Sequence, residues 1–382
     1  PIANDATLNG GIVQVRARVN AADYQLLASE TINNINEIKQ ISISEAVISA
    51  LDGFSEGAVL TFDAVITDTA SNSTNGSSSS TTLIVDQQSP SIFESTAIPS
   101  PSDNATPSVV ITSDESGVIT SSLEIAAGSD ISAEVGNNTV NFSILNDGTY
   151  SPTITVTDAA GNAGSVTLTS FTIDTNAPSS FTVGSVITSG GTVVSGYLNN
   201  TNTTVIVSVP IANDATLNGG IVQVRARVNA ADYQLLASET INNINEIKQI
   251  SISEAVISAL DGFSEGAVLT FDAVITDTAS NSTNGSSSST TLIVDQQSPS
   301  IFESTAIPSP SDNATPSVVI TSDESGVITS SLEIAAGSDI SAEVGNNTVN
   351  FTLYAGTYEN ETITVTDAAG NAGSTILTSF TI

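Results

Sequence analysis

Four residue types are absent from this sequence: cysteine, histidine, tryptophan and methionine. Without cysteine, neither disulfide bonds nor thiolate metal sites can hold the protein together. Without histidine, the commonest general base and transition-metal ligand are missing, so most hydrolase and zinc mechanisms lose a required group. Paired carboxylates could still serve a glycoside hydrolase, but aromatics are only 4% of the chain, and platforms for sugar stacking are scarce. The protein is therefore predicted not to be an enzyme.

Basic residues are scarce as well. Six of them face forty acidic residues, for a formal net charge of −34, and residues 41–224 contain no cation at all. Repulsion then opposes binding to phosphate backbones and to anionic lipid surfaces, so nucleic acid is not expected as a partner. The carboxylates must be solvated, screened by salt, or neutralised by divalent cations such as calcium. The simpler alternative is that acidity only keeps a secreted protein soluble.

Long hydrophobic runs are also absent. No apolar run approaches the ~18 residues of a membrane helix, and no basic segment followed by an apolar one resembles a signal peptide. We therefore expect no direct insertion into a membrane. The aliphatic, Thr-rich and Ser-rich composition, with a mean hydropathy of +0.18, argues against disorder despite the charge.

An internal repeat is the dominant feature of what is present. Residues 1–142 are identical to residues 210–351, an offset of 209 residues. Residues 352–382 follow residues 143–173 closely, with changes such as SILNDGTYSP to TLYAGTYENE. Copies that are identical over this length cannot be specialised for different tasks. The sequence is interpreted as a segment of a longer tandem array.

A turn motif, Asp-x-Ala-x-Asn, marks the domains within each repeat. A strand runs into its Asp, small residues make the turn, and a second strand leaves after its Asn. The linkers VDQQSP and IDTNAP, each with a proline that prevents a strand from continuing, follow these turns. The predicted domains are two longer ones, residues 1–86 and 175–295, and two shorter ones, residues 87–174 and 296–382. The four motifs are Asp68 with Asn72, Asp158 with Asn162, Asp277 with Asn281, and Asp367 with Asn371.

Strand patterns predict the same architecture for both domain types. Residues 203–209, TTVIVSV, alternate with period two, as a half-buried strand does. Short strands with turn signals every ~8 to 12 residues are typical of an antiparallel β-sandwich. Residues 253–262, SEAVISALDG, form the one helical candidate, with Ser253 as its N-cap and Gly262 at its end.

The first longer domain is predicted to lack its first two strands, because Pro1 corresponds to Pro210. A sandwich that misses an inner strand exposes apolar core and unpaired backbone groups, which costs more than the few kcal/mol of net stability. Two explanations stay open. Either the sequence is an arbitrary cut from a continuous array, or a neighbouring chain donates the missing strands head to tail.

The residues also carry a family resemblance. The run TPSVVITSDESGVIT, then GNNTVNFSILNDGTYSPTITVTDAAGNAG, then FTIDTNAP, resembles the immunoglobulin-like extender repeats of very large bacterial surface and secreted adhesins. The longer domain, with FSEGAVLTFDAVITDTASNST and TTLIVDQQSP, resembles a second repeat type found beside it. The resemblance implies an all-β fold of tandem immunoglobulin-like antiparallel β-sandwiches in an elongated array. It also implies calcium at the domain junctions, bound through linker and loop carboxylates.

In an immunoglobulin-like sandwich, the entering linker and two loops gather at one end of the domain, which would bring separate acidic groups together. Calcium takes six to eight oxygen ligands, and such a cluster supplies most of them. The alternative is plain turn chemistry, since Asp and Asn bond their own backbone and Gly161 permits positive φ. The candidate ligands are Asp86, Asp114, Glu115, Asp158, Asn162, Asp174, Asp214, Asp277, Asn281, Asp295, Asp323, Glu324, Asp367 and Asn371.

The sequence thus predicts a spacer or fibre element on or outside a bacterial cell. Its partners would be neighbouring repeats of the array or head-to-tail copies of the same chain. Near-identical repeats multiply length without adding specificity, because each domain contacts mainly its neighbours. Two alternatives remain: a filament subunit joined by donated strands, and a module that binds a carbohydrate or a host surface.

Overall fold

The computed structural model describes all 382 residues and consists almost entirely of β-structure. The all-β prediction is therefore confirmed. No helical segment has the length and apolarity that crossing a lipid bilayer would require. The chain forms two compact units. One comprises Pro1–Pro99, Thr106–Leu145 and Thr149–Phe171, and the other comprises Ser100–Ala105, Asn146–Gly148 and Thr172–Ile382.

The second longer domain is a sandwich of a three-stranded and a six-stranded sheet. Along the strand Thr204–Ile211, Val205, Val207 and Val209 are buried while Ile206 is partly exposed, as the period-two pattern predicts. One cluster of buried apolar side chains, drawn from residues 183–294, fills the space between the sheets. Its strands are Val186–Ser189, Tyr197–Asn199, Thr204–Ile211, Ile221–Val228, Gln234–Thr240, Glu246–Ser253, Val268–Thr276, Ser282–Asn284 and Leu292–Asp295, with a 3-10 turn at Ala215–Leu217.

Two expectations for this domain are wrong in part. The sheet is not purely antiparallel, because Tyr197–Asn199 pairs in parallel with Leu292–Asp295. The helix is also shorter than predicted. It covers only Glu254–Ile257, and Ser253 makes no side-chain cap bond. So short a helix is not stable by itself, and in this domain Ile257 packs it against the core.

The second shorter domain contains a three-stranded, a four-stranded and a two-stranded sheet around one apolar cluster. Phe351 and Phe380 are its largest fully buried side chains. Ile301–Thr305 is a strand that the sequence prediction missed, because it is short and follows the linker directly. The strands are Ile301–Thr305, Ser317–Ser322, Gly326–Ser330, Ser341–Ala342, Gly345–Asn350, Thr357–Tyr358, Thr362–Thr366, Ala372–Ile376 and Phe380–Thr381.

The first shorter domain repeats this order of strands. Its last two strands, Ala163–Thr167 and Phe171–Ile173, are separated by a short break. The strands are Ile92–Thr96, Ser108–Ser113, Gly117–Ser121, Ser132–Ala133, Gly136–Asn141, Gly148–Tyr150, Thr153–Thr157, Ala163–Thr167 and Phe171–Ile173.

The first longer domain differs from the second although the shared sequence is identical. It has one five-stranded sheet and no counterpart of residues 176–209. Residues 37–44 form no strand, whereas the same sequence forms the strand Glu246–Ser253 by pairing with Thr204–Ile211. Its elements are Ala6–Leu8, a 3-10 turn, Ile12–Val19, Gln25–Thr31, the helix Glu45–Ile48, Val59–Thr67, Ser73–Asn75 and Leu83–Ile84.

This difference leaves an apolar face open in the first longer domain. Leu83 is 51% exposed, whereas its counterpart Leu292 is 1% exposed. A groove of about 500 Å³ runs along the open face, lined among others by Ile2, Val13 and Ile66. The predicted exposure of apolar core is therefore present in the structure.

Candidate functional site

The Asp-x-Ala-x-Asn turns build the site from their own hydrogen bonds. At the turn of the first shorter domain, Asp158 Oδ1 accepts the backbone N–H groups of Ala160, Gly161 and Asn162, at 2.8, 2.7 and 2.9 Å. Burial raises the pKa of Asp158, but the hydrogen bonds from Asn162, Gly161 and Ala160 outweigh it and leave that pKa below its usual value. This part of the site follows plain turn chemistry.

In both shorter domains, the Asn of the turn reaches beyond the turn to the preceding linker. Asn162 Nδ2 donates to the carbonyl oxygen and to Oδ1 of Asp86, both at 3.1 Å. Asn371 Nδ2 does the same at Asp295, at 3.0 and 2.9 Å. The predicted approach of the turn to the linker is thus present, and the linking atom is an amide nitrogen.

The junction that enters the second longer domain is built differently. Asn281 Nδ2 donates to the carbonyl oxygen of Asp174 at 2.8 Å, whereas the Asp174 carboxylate accepts the N–H of Asn176 at 3.1 Å. In the adjoining loop, Asp214 accepts the N–H and the hydroxyl of Thr216. The carboxylates of Asp174 and Asp214 therefore stabilise local backbone turns.

Carboxylates repel one another at the junction before the second shorter domain. Burial, then repulsion from Asp367 and Glu265, raises the pKa of Asp295 to about 6. Burial, then repulsion from Asp295, Asp367 and Asp323, also raises the pKa of Glu324. This junction therefore concentrates negative charge that no basic side chain of the protein offsets.

The junction before the first shorter domain shows the same pattern. Burial, then repulsion from Asp158 and Glu56, raises the pKa of Asp86. Burial, then repulsion from Asp114 and Asp86, raises the pKa of Glu115. The structure thus brings together four of the predicted residues here, and it adds one that was not predicted.

Asp114 and Asp323 also hold the start of the shorter domain in which each lies. Asp114 Oδ1 accepts the N–H of Ser91 at 2.6 Å, and Asp323 Oδ1 accepts the N–H of Ser300 at the same distance. These oxygens already have a backbone partner. Each Asp nevertheless repels the neighbouring Glu, Glu115 or Glu324, and helps to raise the pKa of that Glu.

Sequence reasoning missed several contributors. Glu56 and Glu265 each accept the N–H of the residue that follows the linker Asp, at 3.0 Å. Asp147 accepts the N–H and the hydroxyl of Thr175, at 2.9 and 2.8 Å, and also bonds Asn176 Nδ2. The repeated FSEG sequence was the only signal for the two Glu residues, and it gave no hint of their position.

The donor set suits a hard divalent cation in charge but not in arrangement. The oxygens of Asp158 and Asp367 already accept hydrogen bonds from their own turns, and the side-chain amides of Asn162 and Asn371 present hydrogens to the linker. No group of three or more Asp or Glu side chains has the spacing of a metal site. The turn residues therefore do not form a calcium cage in this geometry.

Part of this chain matches a known protein family. Residues 100–175 match the family model described as a bacterial Ig-like domain. This range covers most of the first shorter domain and supports its resemblance to bacterial immunoglobulin-like domains. A search of curated proteins finds no match.

Several solved structures match at low identity. They include a Bacteroides ovatus mixed-linkage glucan utilization protein, SGBP-B, in complex with a mixed-linkage heptasaccharide (14% identity, covering 77% of this chain and 70% of that one, TM-score 0.19). They also include protocadherin gammaB7 EC3-6, with 16% identity and a TM-score of 0.21, where the match covers 85% of this chain and 85% of that one. A third is Salmonella alpha-2-macroglobulin reacted with methylamine, with 9% identity and a TM-score of 0.22, where the match covers 99% of this chain and 38% of that one. Scores this low carry no conclusion about function.

Proposed function

We propose that the protein is a non-catalytic spacer of a bacterial surface adhesin or extracellular fibre, built from tandem immunoglobulin-like sandwiches. One observation carries the proposal. At all three junctions, the Asn of a domain's turn bonds the linker that precedes that domain, through the pairs Asn162 with Asp86, Asn281 with Asp174, and Asn371 with Asp295. A chain in which each domain is bonded to the linker before it gains length with every repeat.

The family match supports the bacterial and extracellular parts of this proposal, because it identifies a bacterial Ig-like domain within the repeat. Identical repeats support the spacer role, since they add length rather than new specificity. The partners in this proposal are neighbouring repeats of the same array.

Small-angle X-ray scattering tests the spacer role. The maximum dimension should increase by a constant amount with each added 209-residue unit. The matched controls are arrays of the same length in which the junction Asn residues are replaced by Ala. A maximum dimension that stays nearly constant as units are added would refute the spacer.

Calcium at the junctions stays a prediction. Its support is the unbalanced charge around Asp295, whose carboxylate lies near those of Glu265, Asp367 and Glu324. A bound cation would offset this repulsion, but it would need the carboxylates to rearrange.

A filament joined by donated strands is a second candidate, favoured by the open face of the first longer domain. The same sequence is covered in the second longer domain, where Val205, Val207 and Val209 pack into the core. A synthetic peptide of residues 176–209, added to the protein, should then bind saturably and raise the melting temperature. A scrambled peptide is the control, and equal behaviour of the two peptides would exclude strand donation.

The ligand-binding alternative has no comparable support. A surface groove of about 790 Å³ in the second shorter domain is lined by seven residues without an aromatic ring, and thus lacks a stacking surface for a sugar. They are Pro308, Pro310, Ser311, Asp312, Asn313, Pro316 and Ser317.

A further inference from the structure

The loop at residues 190–202 of the second longer domain, which we call the clasp loop, is fixed by its own asparagines. Asn202 Nδ2 donates to the carbonyl oxygens of Gly190 and Thr192, both at 2.9 Å. Asn202 Oδ1 accepts the N–H of Asn199, and Asn199 Oδ1 accepts the N–H and the hydroxyl of Thr201. Asn199 is fully buried and Asn202 nearly so. The loop therefore has a defined shape before any contact with another domain is considered.

The clasp loop is also fixed beside the linker. Its strand Tyr197–Asn199 pairs in parallel with Leu292–Asp295, so that Asn199 lies opposite Asp295. Asp295 is the residue to which the next domain is bonded through Asn371. This pairing places the loop next to the turn of the second shorter domain.

Three hydrogen bonds cross from the clasp loop to the second shorter domain and its linker. Asn199 Nδ2 donates to the carbonyl oxygen of Ala369 at 2.7 Å. The backbone N–H of Asn200 donates to Asn371 Oδ1, and Asn200 Nδ2 donates to Ser298 Oγ, both at 2.9 Å. Asn371 thus bonds the linker through its nitrogen and the clasp loop through its oxygen. The clasp loop thus bonds both the backbone of the turn, at Ala369, and the side chain of its Asn, at Asn371.

Gly370 allows the turn and the clasp loop to approach each other closely. A methyl group on its Cα would lie 2.8 Å from Thr192 Cγ2 and 3.0 Å from Val194 Cγ2, which is too close for carbon atoms. A side chain at position 370 would therefore force the side chains of Thr192 and Val194 to shift. The glycine is needed here for close approach as well as for its φ of +93°.

The first shorter domain provides a natural comparison. Its turn has the same sequence, and residues 1–86 contain no counterpart of the clasp loop. A methyl group on Gly161 would meet nothing within 4 Å, although its φ of +98° is nearly the same. Asn162 is half-buried there, whereas Asn371 is fully buried. The extra burial of the second turn therefore comes from the clasp loop and not from the turn itself.

We propose that the Asp-Ala-Ala-Gly-Asn turn of the shorter domain is a docking surface whose partner is the clasp loop of the preceding longer domain. Docking fixes the orientation of the two domains at that junction. Its consequence, a stiff rod, rests on the proposed spacer function. The docking itself does not depend on that function.

The full chain allows a direct test, because it contains no cysteine and labels can be placed at will. Cysteines at the exposed positions Ser238 and Glu343 would carry spin labels across the junction that contains the clasp loop. The equivalent pair, Ser29 and Glu134, spans the junction without it. Double electron–electron resonance then measures the distribution of distances for each pair. We expect a narrow distribution for the first pair and a broader one for the second.

The variant Gly370→Ala should abolish the narrow distribution between the labels at 238 and 343. Its control, Gly161→Ala, carries the same backbone strain without the collision and should leave the distribution between 29 and 134 unchanged. A narrow distribution that survives Gly370→Ala would overturn the proposal.

A second variant covers the case in which Gly370→Ala fails to fold. Asn199→Ala removes the bond to Ala369 without strain at a positive φ, and circular dichroism checks that the sheets are retained. It should broaden the same distribution, and an unchanged width would contradict docking. Scattering separates the two ideas: a narrow distribution in a protein whose length does not grow with repeats would reject the spacer and keep the docking.

Discussion

The side-chain nitrogen of Asn371 lies 2.9 Å from Oδ1 of Asp295 and 3.0 Å from its carbonyl oxygen, so that one amide holds both the side chain and the backbone of the linker. The same nitrogen lies 3.0 Å from Asp367 Oδ2 within its own turn. It stands between two carboxylates that repel each other.

Replacing Asn371 by Ala should destabilise the second shorter domain by about 1.5–3 kcal/mol, because hydrogen bonds to charged groups are lost and Asp295 keeps its burial. Calorimetry of the full chain measures this loss. Asn72→Ala is the matched control, since Asn72 donates from its side chain only to Asp68 in its own turn. Equal losses for the two variants would show that the linker bonds add nothing.

Acidification from pH 7.5 to pH 5 should stabilise the junction at Asp295. The pKa of Asp295 is about 6 in the folded protein against a usual 3.8, so the folded state binds more protons between these values. The free energy of unfolding then falls as pH rises through this window, by about 1–2 kcal/mol after allowance for solvent screening. Melting temperatures across the range measure the effect.

Asp295→Asn is the control for this pH dependence. It keeps an oxygen that can accept from Asn371 and removes the charge that titrates. The variant should be more stable than the unmodified protein at pH 7.5 and less dependent on pH. A variant with the original pH profile would assign the titration to other groups.

Calcium should raise the melting temperature at pH 7.5 if it binds the junctions, because a ligand that binds only the folded state stabilises it by mass action. It should also flatten the pH dependence and stiffen the chain, and a chelator should reverse both effects. Magnesium is the control, since it demands a stricter octahedral geometry. Identical melting and scattering with calcium and with chelator would reject the metal.

The ion pair between Arg225 and Asp272 should contribute more to the free energy of unfolding than the pair between Lys248 and Glu239 does. Arg225 bonds Asp272 through two nitrogens, at 2.9 and 2.7 Å, and Asp272 is buried. Asp272→Ala would leave the Arg225 cation without its carboxylate, at a cost of about 3 kcal/mol or more.

Lys248→Gln breaks the more exposed pair and should cost less than about 1 kcal/mol. Urea unfolding of both variants gives the comparison. Similar losses would mean that burial of the Arg225 pair has no energetic consequence.

Leu292→Ala and Leu83→Ala form a matched pair in identical local sequence. Leu292 is buried in the second longer domain, so the change should leave a cavity and cost about 2–5 kcal/mol. Leu83 is half-exposed, and its replacement should cost about 0.5 kcal/mol or less. Denaturant titration followed domain by domain measures both losses, and equal losses would mean that the open face is covered in solution.

Much of the architecture was predictable from local pattern. The alternation in residues 203–209 identified a real strand, because side chains in a strand point to opposite faces. The turn motif located the Asp158 and Asp367 turns correctly, because Asp bonds its own backbone in any context. These features depend on neighbours within a few residues.

The rest of the site was not predictable, since it depends on residues far apart in the chain. Glu265 comes close to Asp295, and Asn199 donates a hydrogen bond to Ala369, only in the folded protein. Calcium binding by these carboxylates stays a prediction, and the folded turns show the hydrogen bonds to backbone amides that the alternative of plain turn chemistry predicts.

The amino-acid sequence by itself determined the repeat, the turns, the excess of negative charge and the all-β class, because each follows from composition or short-range pattern. Only the tertiary structure decided what each segment does. Residues 37–44 and 246–253 are the same eight letters, yet only the second set is a strand. Its backbone groups find partners in Thr204–Ile211, which the first set lacks. A strand needs a neighbour for its hydrogen bonds, and that neighbour is supplied by the fold rather than by the segment.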